Sequence, residues 1–203
     1  MLYGVLVDLV PHSKESRELE HRWANNESSF WASGGEWRFV TRAQIEARYA
    51  RRAEERERGG LGVGFEIRTK AGKPIGSIGI NWLQPVHRLA MLGAKIGEPD
   101  YWGGGYGTDA LLLIVEYAFD WLDVRKVWLM TSSMNARVMR QMEKVGFTLE
   151  GRQRQATLAE GVWHDWLAYG LLREEWPGRE TLVERLGLRE RAQAIYADAE
   201  SGR

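Results

Sequence analysis

The sequence predicts an α/β (α+β) protein with a mixed, mostly antiparallel central sheet flanked by helices. Two observations carry this prediction. Between residues 62 and 96, three strand-like runs follow one another with short connections, the pattern of an antiparallel meander. From residue 102 the pattern changes to a glycine-rich loop, a helical segment with one apolar face and a further strand-like run at residues 126–131. The chain therefore places a helix between two strands directly after the meander.

The N-terminal elements are predicted from local signals. An apolar run at residues 5–10 ends at Pro11 and predicts a first strand. Residues 13–26 have the apolar spacing of a helix, so a helix is expected to follow that strand. Residues 28–37 are rich in serine, glycine and aromatic side chains and predict a loop.

A capping-box pattern marks the start of the next helix. Thr41 and Gln44 are spaced for reciprocal side-chain capping. The Arg- and Glu-rich helix that they begin is expected to end at Gly59 and Gly60, and its charged residues to form a solvated face. The strands of the meander follow at residues 63–67, 75–82 and 89–96.

The glycine-rich loop is the strongest candidate binding element. Four glycines lie between residues 103 and 107, and a helix is expected to open at about Thr108. Bare backbone N–H groups and the positive end of a helix dipole favour anions, which predicts a phosphate site. The loop matches neither the P-loop nor the dinucleotide-binding glycine pattern.

Local signals also mark where the elements of the C-terminal third begin and end. Asn135 is placed to cap a helix that ends at Gly146. Two final strands, 147–150 and 162–172, are predicted with a polar loop between them. Pro177-Gly178 marks a boundary, so we predict a domain at residues 1–176 and a charged helical tail at residues 177–203.

The composition limits the classes of function that the chain can have. Lys+Arg and Asp+Glu both number 28, so no basic excess indicates a nucleic-acid partner. There is no cysteine, and the four histidines lack the spacing of metal ligands, so no metal site is expected. The chain begins without a basic segment, and no apolar run reaches the ~18 residues of a membrane span. We expect a cytoplasmic protein that contacts no membrane.

Several motifs in order give the chain a resemblance to a known family. It resembles the GNAT superfamily of acetyl-CoA-dependent N-acetyltransferases over residues 5–176, most closely the ribosomal-protein (Rim-type) branch. The motifs are residues 99–110, Tyr117-Ala118-Phe119, Asn135, residues 143–147, Glu150-Gly151 and residues 161–165. The resemblance implies a GNAT fold in which a splayed strand pair holds the coenzyme. It implies acetyl-CoA as the co-substrate, with no metal, and acetyl transfer to a primary amine by direct attack in a ternary complex.

The same resemblance implies the coenzyme contacts. The loop would hold the pyrophosphate, backbone groups near Ile96, Gly97 and Glu98 would hold the pantetheine arm and polarise the thioester, and Asn135 would touch the arm. Trp102 stands where the superfamily has Arg or Gln. Basic residues in and after the helix that Asn135 is expected to cap would favour the 3′-phosphate of the coenzyme. They are Arg137, Arg140, Lys144, Arg152 and Arg154. The implied coenzyme-binding residues are Ile96, Gly97, Trp102, Gly103, Gly104, Gly105, Tyr106, Gly107, Thr108, Asn135, Arg137 and Arg140.

The catalytic acid and base stay open. Val138 and Met142 occupy positions where family members have a hydroxyl, so the acid would be Ser132, Ser133, a water, or absent. The candidate bases are Glu98, Glu66, His164 and Asp165. The predicted catalytic set is therefore Asn135, Glu98, Asp165, His164 and Ser133.

The acceptor is expected to be a small-molecule amine or a protein N-terminus, bound near Trp23, Asn25, Trp82 and Trp163. A homodimer is a further expectation. Two rival interpretations remain. One is a non-catalytic acyl-CoA-binding or regulatory module, which the missing hydroxyls favour. The other is a nucleotide enzyme that uses the same loop and would bind ATP or NAD.

Overall fold

One mixed sheet organises the molecule. The computed structural model describes residues 1–37, 39–57 and 62–201, without the side chains of residues 56 and 198–201. Within these ranges eight strands follow the order β1-β2-β3-β4-β5-β6-β8-β7. Every neighbouring pair is antiparallel except β5 and β6, which are parallel. The strands are β1 Leu2–Tyr3, β2 Val7–Val10, β3 Val63–Thr69, β4 Pro74–Gln84, β5 Leu89–Ile96, β6 Lys126–Ser132, β7 Thr148–Ala159 and β8 Val162–Leu172. The predicted fold class is confirmed.

Helices cover both faces of this sheet. The α-helices are α1 Lys14–Ala24, α2 Glu27–Ala32, α3 Arg42–Glu57, α4 Tyr106–Glu116, α5 Ala136–Val145, α6 Arg179–Arg185 and α7 Leu188–Ser201. Helix α4 continues as a π-helical turn, Tyr117–Trp121. Its side chains from Ala110 to Val115 are buried, so this helix belongs to the core on all sides. None of the described helices is long and apolar enough to cross a membrane.

The parallel strand pair separates along its length. β5 and β6 pair only at Leu89 with Lys126, Ala90 with Val127, and Met91 with Trp128. Beyond Met91, β5 continues to Ile96 and pairs with no described strand on that side. An unpaired strand edge leaves N–H and C=O groups available. The sheet is therefore splayed at the point where β5 enters the glycine loop.

Asp109 joins α4 to the start of the chain. Its fully buried Oδ2 accepts the backbone N–H groups of Val5, Leu6 and Val7 at 2.8, 2.7 and 3.0 Å. Its Oδ1 lies 3.8 Å from the guanidinium of Arg179. A buried carboxylate needs such donors. Because these amides bond to a side chain, the first long strand begins at Val7 instead of at the expected residue 5.

Three further boundaries differ from the sequence prediction. The expected loop at residues 28–37 contains α2, which Asn26 caps by accepting the Ser28 N–H at 2.9 Å. Helix α4 begins at Tyr106, two residues before the expected start. Strand β7 runs through the expected polar loop to Ala159, because an edge strand with a bulge between residues 153 and 157 tolerates polar side chains on both faces.

Other local predictions are confirmed. The N–H of Thr41 donates to Oε1 of Gln44 at 2.8 Å, and the N–H of Gln44 donates to Oγ1 of Thr41 at 3.3 Å, which completes the capping box. Asn135 caps α5, and Gly146 ends it with φ 102° in the left-handed region. The predicted helix end at Gly59 and Gly60 lies outside the described residues.

The C-terminal segment packs on the sheet-covering helices. Four apolar side chains of α6 and α7 are buried in the main core; they are Leu182, Val183, Leu188 and Ala192. Gly187, with φ 62°, separates the two helices. The segment predicted as a helical tail therefore contributes to the same core as the sheet.

Candidate active site

The glycine loop ends in a partly buried helix N-terminus. Gly105 adopts φ 95° and caps α4, a conformation that favours glycine. Its carbonyl accepts the N–H groups of Thr108 and Asp109 at 3.0 and 2.9 Å. The N–H groups of Tyr106 and Gly107 precede these and have no acceptor within the helix. They are available to an anion, as the loop pattern predicts.

A cavity of about 370 Å³ opens in front of this helix, and we call it the anion cleft. It lies between the loop, the splayed end of β5, α5 and α7. Among the described residues that line it, five are cationic and none is a carboxylate. The cations are Lys95, Arg137, Arg140, Lys144 and Arg191. This charge inventory suits a ligand with several phosphates.

Trp102 is held in the wall of the anion cleft. Its indole N–H donates to the carbonyl of Ile96 at 2.9 Å. The guanidinium of Arg137 lies 3.9 Å from the centroid of its ring and 5.6 Å from the ring centroid of Trp31. Stacking on two aromatic faces orients the guanidinium. Trp102, at the position where the superfamily pattern has a basic or polar side chain, thus contacts the guanidinium of Arg137.

The edge of β5 offers fewer groups than the resemblance implies. The N–H groups of Gly97 and Glu98 both donate to the carbonyl of Ile75, at 2.8 and 3.3 Å, so neither is available to a ligand. Because antiparallel pairs alternate in their hydrogen bonds, Ile96 and Ala94 direct their backbone groups away from β4, towards the side that β6 has left. The Ile96 carbonyl is taken by Trp102. The N–H of Ile96 and the N–H and carbonyl of Ala94 therefore remain available to a ligand.

Asn135 both caps a helix and lines the anion cleft. Its Oδ1 accepts the N–H of Val138 at 3.4 Å, and its amide donates to the carbonyl of Trp31 at 3.5 Å. Gln141, six residues further along the chain in α5, donates to Oγ1 of Thr108 at 3.4 Å. These contacts fix the start of α5 against α2 and α4.

A second cavity, of about 790 Å³, lies over β3, β4 and β5. It shares Ala32, Ala94 and Lys95 with the anion cleft, so the two cavities meet at the splayed part of β5. Lys95 is mostly buried there and pairs with Glu20 at 3.2 Å. Burial lowers the pKa of Lys95, and Glu20 opposes that effect by favouring the ammonium form.

Two of the predicted bases are occupied by structural partners. Glu98 accepts the indole N–H of Trp23 at 2.8 Å and pairs with Arg22. Glu66 is fully buried and accepts the N–H of Ser13 at 3.0 Å and the guanidinium of Arg68 at 2.6 Å. Burial favours the neutral acid, but these hydrogen bonds outweigh it and lower the pKa of Glu66. Neither carboxylate lines the described walls of either cavity.

The other predicted catalytic residues, apart from Asn135, lie together on a different part of the sheet. Asp165 accepts the N–H of Gln155 at 2.9 Å and pairs with Arg152 at 3.2 Å, which fastens the bulge of β7. Its own N–H donates to Oγ of Ser133 at 3.1 Å. His164 lies opposite Thr157 in the β7 and β8 pair. The structure does not bring Asp165, Ser133 or His164 to the described walls of either cavity.

The predicted acceptor residues separate in the same way. Trp23 is buried under Gly97, where an added Cβ would overlap its ring. Asn25 donates to the carbonyls of His21 and Val40 and holds the chain after α1. Trp163 is exposed on β8 outside both described linings. Of the four, Trp82 alone lines the second cavity as the structure describes it.

Sequence reasoning missed two cations of the anion cleft. Lys95 is a charged residue inside an apolar strand, which is a signal that the sequence carries. Arg191 comes from α7, and its Cδ would lie 3.6 Å from a Cβ placed on Gly105. Nothing in the local pattern of α7 distinguishes Arg191 from its charged neighbours. The basic residues Arg152 and Arg154, which the sequence grouped with Arg137, do not line the described cleft.

The splayed sheet, the glycine loop at a helix N-terminus and the polycationic cleft define a class of acyl-coenzyme A-binding acetyltransferase folds. The family model described as an acetyltransferase (GNAT) domain matches residues 7–148. The chain therefore belongs to the GNAT acetyltransferase family.

Curated relatives carry acetyltransferase names. YdaF of Bacillus subtilis (strain 168), whose name gives ribosomal N-acetyltransferase as an unproven function, is 31% identical over 109 residues, 54% of this chain and 59% of that protein. YoaA of the same strain, named as an uncharacterized N-acetyltransferase, is 29% identical over 58% of this chain and 65% of its own length. The chain thus spans about three fifths of these two relatives. The spermidine N(1)-acetyltransferase of Escherichia coli (strain K12) is 26% identical over 71% of this chain and 74% of that protein.

Solved structures support the fold. The crystal structure of spermidine N-acetyltransferase from Vibrio cholerae in complex with CoA and spermine aligns with a TM-score of 0.74. The alignment covers 84% of this chain and 97% of that chain at 18% identity. At this identity the likeness concerns the fold alone.

Proposed function

We propose that the chain is an acetyl-CoA-dependent N-acetyltransferase that moves an acetyl group to a primary amine by direct attack in a ternary complex. The observation that carries the proposal is the anion cleft. Its described lining has five cations and no carboxylate, it faces an open helix N-terminus, and it adjoins a second cavity. Family membership and relatives named as N-acetyltransferases support the same activity.

The chain's own groups account for coenzyme binding. The N–H groups of Tyr106 and Gly107 would take the pyrophosphate, as backbone donors at a helix N-terminus do. Arg137 and Arg191, on opposite walls, would neutralise phosphate charge. The carbonyl of Ala94 and the Ile96 N–H would bond to the pantetheine arm, in the way that a strand adds to an open edge.

The reaction follows from bringing the two cavities together. The amine nitrogen attacks the thioester carbonyl carbon; the C–N bond forms, the C–S bond breaks, and the coenzyme leaves as a thiolate that takes up a proton. A backbone N–H aimed at the developing oxyanion is worth about 3 to 4 kcal/mol, and the Ala94 N–H, at the junction of the two cavities, would be that donor. The amine proton passes to water or to a lining group of the second cavity, His12 or Glu55.

The structure motivates no proton-transfer role for Glu98, Asp165, His164 or Ser133. Each is outside both described linings, and Asn135 is retained as a contact to the pantetheine arm. The names of the spermidine acetyltransferase relatives favour a small-molecule amine as the acceptor. A protein N-terminus, as in the Rim-type branch, is the alternative acceptor.

Gly107 allows a clean test. Its backbone needs no positive φ, and an added Cβ would lie 3.5 Å from Ile96 Cγ1, inside the anion cleft. Gly105 is less suitable because its positive φ and its contact with Leu6 would couple binding to folding. Gly107→Leu should abolish acetyl-CoA binding without loss of Tm. Gly151→Leu, on edge strand β7, is the matched control.

The measurement is a calorimetric titration with acetyl-CoA, with ATP and NAD as controls. For the wild-type protein we expect a Kd for acetyl-CoA on the order of 10 μM, a binding free energy of about −7 kcal/mol. We expect no binding of ATP or NAD. Equal binding by Gly107→Leu would contradict the site. Binding without acetylation of any amine, and without thioester hydrolysis above buffer, would favour the non-catalytic module. Val138 favours that rival interpretation, because it lines the anion cleft at a position where the Rim branch has a hydroxyl.

A further inference from the structure

The floor of the second cavity is built largely of backbone, although the Asn81 side chain covers one end of it. Gly64 lies opposite Gly79 in the β3 and β4 pair, and Gly79 lies opposite Gly93 in the β4 and β5 pair. Residues that are directly opposite in a sheet share one face. All three glycines line the second cavity. Together they form a flat strip of backbone across three strands, which we call the glycine row.

Apolar and amide groups border the glycine row. Trp82 projects beside it with 44% of its surface exposed, and its ring packs edge-on against Trp128 with centroids 6.4 Å apart. The side chain of Asn81 lies over Gly93, where an added Cβ would overlap the amide. An aromatic ring could lie on a flat backbone strip with an indole at its edge, as rings prefer offset or edge-on neighbours.

The charges of the second cavity do not suit a polycation. Four titratable side chains line it in the described part of the chain, namely His12, Arg52, Glu55 and Lys95. Only one of them is a carboxylate, and two, Arg52 and Lys95, carry basic groups. Glu20, outside the lining, is already paired with Lys95 at 3.2 Å. A ligand with three or four ammonium groups would meet one carboxylate, Glu55, which already lies 3.8 Å from Arg51, and repulsion from Arg52.

The position of the reacting amine follows from the junction of the two cavities. Ala94 and Lys95 are shared by both linings, and Gly93 is the neighbouring end of the glycine row. Two residues along a strand span about 7 Å. An aromatic body on the glycine row would therefore reach the junction with an amine carried on a linker of two or so carbons.

We propose that the acceptor is an aromatic monoamine whose ring lies on the glycine row against Trp82, with its amine at the junction beside Ala94. This inference rests on the proposed function. It differs from what the names of the spermidine acetyltransferase relatives suggest, because it excludes polyamines as the preferred acceptors. Asn81 would bond to a polar substituent of the ring or linker.

The test compares acceptors and two tryptophan variants. CoA-thiol release is measured with tryptamine and phenethylamine as aromatic monoamines, spermidine and spermine as polyamines, and an alanine-terminated peptide. We expect kcat/KM for the aromatic monoamines to exceed that for the polyamines by at least about tenfold. Trp82→Ala should raise KM for tryptamine about tenfold with a smaller change in kcat. Trp163→Ala, which removes an exposed indole outside both described linings, should change neither.

The outcomes separate this inference from the proposed function. Spermidine or the peptide as the preferred acceptor, or an unchanged KM for tryptamine in Trp82→Ala, would overturn the inference and leave the acetyltransferase activity standing. Calorimetric titration of tryptamine into the protein loaded with acetyl-CoA provides a second readout. Absence of heat there also overturns the inference, even where no amine is turned over. Absence of acetyl-CoA binding itself would instead overturn the proposed function.

Discussion

The guanidinium of Arg137 lies 3.9 Å from the ring centroid of Trp102, and the indole N–H of Trp102 in turn donates to Ile96. This chain of contacts links α5, the glycine loop and the end of β5. Arg137 is thereby oriented before any ligand arrives, which reduces the conformational entropy that binding must remove.

Arg137→Ala is expected to weaken acetyl-CoA binding about 10- to 100-fold, because a charge-assisted hydrogen bond to phosphate contributes about 1.5 to 3 kcal/mol. Arg154→Ala is the matched control. Arg154 belongs to the same basic run of sequence but is exposed on β7, outside the described lining of the cleft. Titration calorimetry on both variants measures the effect, and similar losses for the two would show that only bulk charge matters.

The C-terminal helix α7 supplies a wall of the anion cleft through Arg191. Arg191→Ala should raise the Kd for acetyl-CoA about tenfold. Arg189→Ala should leave it unchanged, since Arg189 pairs with Glu180 on the surface. A parallel titration with 3′-dephospho-CoA identifies the phosphate concerned. If the Arg191 variant loses no affinity, α7 has only a packing role.

Glu66 should govern part of the acid sensitivity of the fold. Its pKa in the folded protein lies below the ordinary value of 4.5, so the ionised carboxylate contributes stability that is fully present above that value. The contribution is lost as the pH falls through the folded-state pKa. Glu66→Gln should therefore lower the free energy of unfolding by about 2 kcal/mol at pH 7 and by less near pH 3.

Urea unfolding at the two pH values measures this difference. Glu18→Gln, on the exposed face of α1, serves as the control and should be neutral at both. An equal loss at both pH values in the Glu66 variant would show that packing, and not ionisation, explains its effect.

Local sequence signals predicted the elements whose ends are fixed by residues close in sequence. Asn135 and Gly146 delimit α5 as expected, since a cap needs only its neighbours in sequence. The glycine loop and its helix were also predictable, because the loop's conformation depends on residues within it. Because the loop also resembles a family pattern, acetyl-CoA could be predicted as its ligand.

The remainder depends on contacts between distant segments. The amides of Gly97 and Glu98 were expected to be free, and they bond to Ile75 because of the register of β4 and β5. Arg191 reaches the cleft only because α7 packs against the loop at Gly105. Register and packing of this kind leave no local pattern in the sequence, which explains why the loop and its helix were easier to predict than the residues that line the two cavities.

Asp109 has a wider consequence for how the chain responds to ligand. It belongs to the helix whose first turn would hold the coenzyme, and its carboxylate also holds the amides of Val5, Leu6 and Val7. Local opening at the beginning of the chain would leave that buried charge without its donors, so anything that stabilises the first turn of α4 should raise the free energy of the opening. Slowed amide hydrogen exchange at Val5 would then report occupancy of a site formed around a residue 104 positions away.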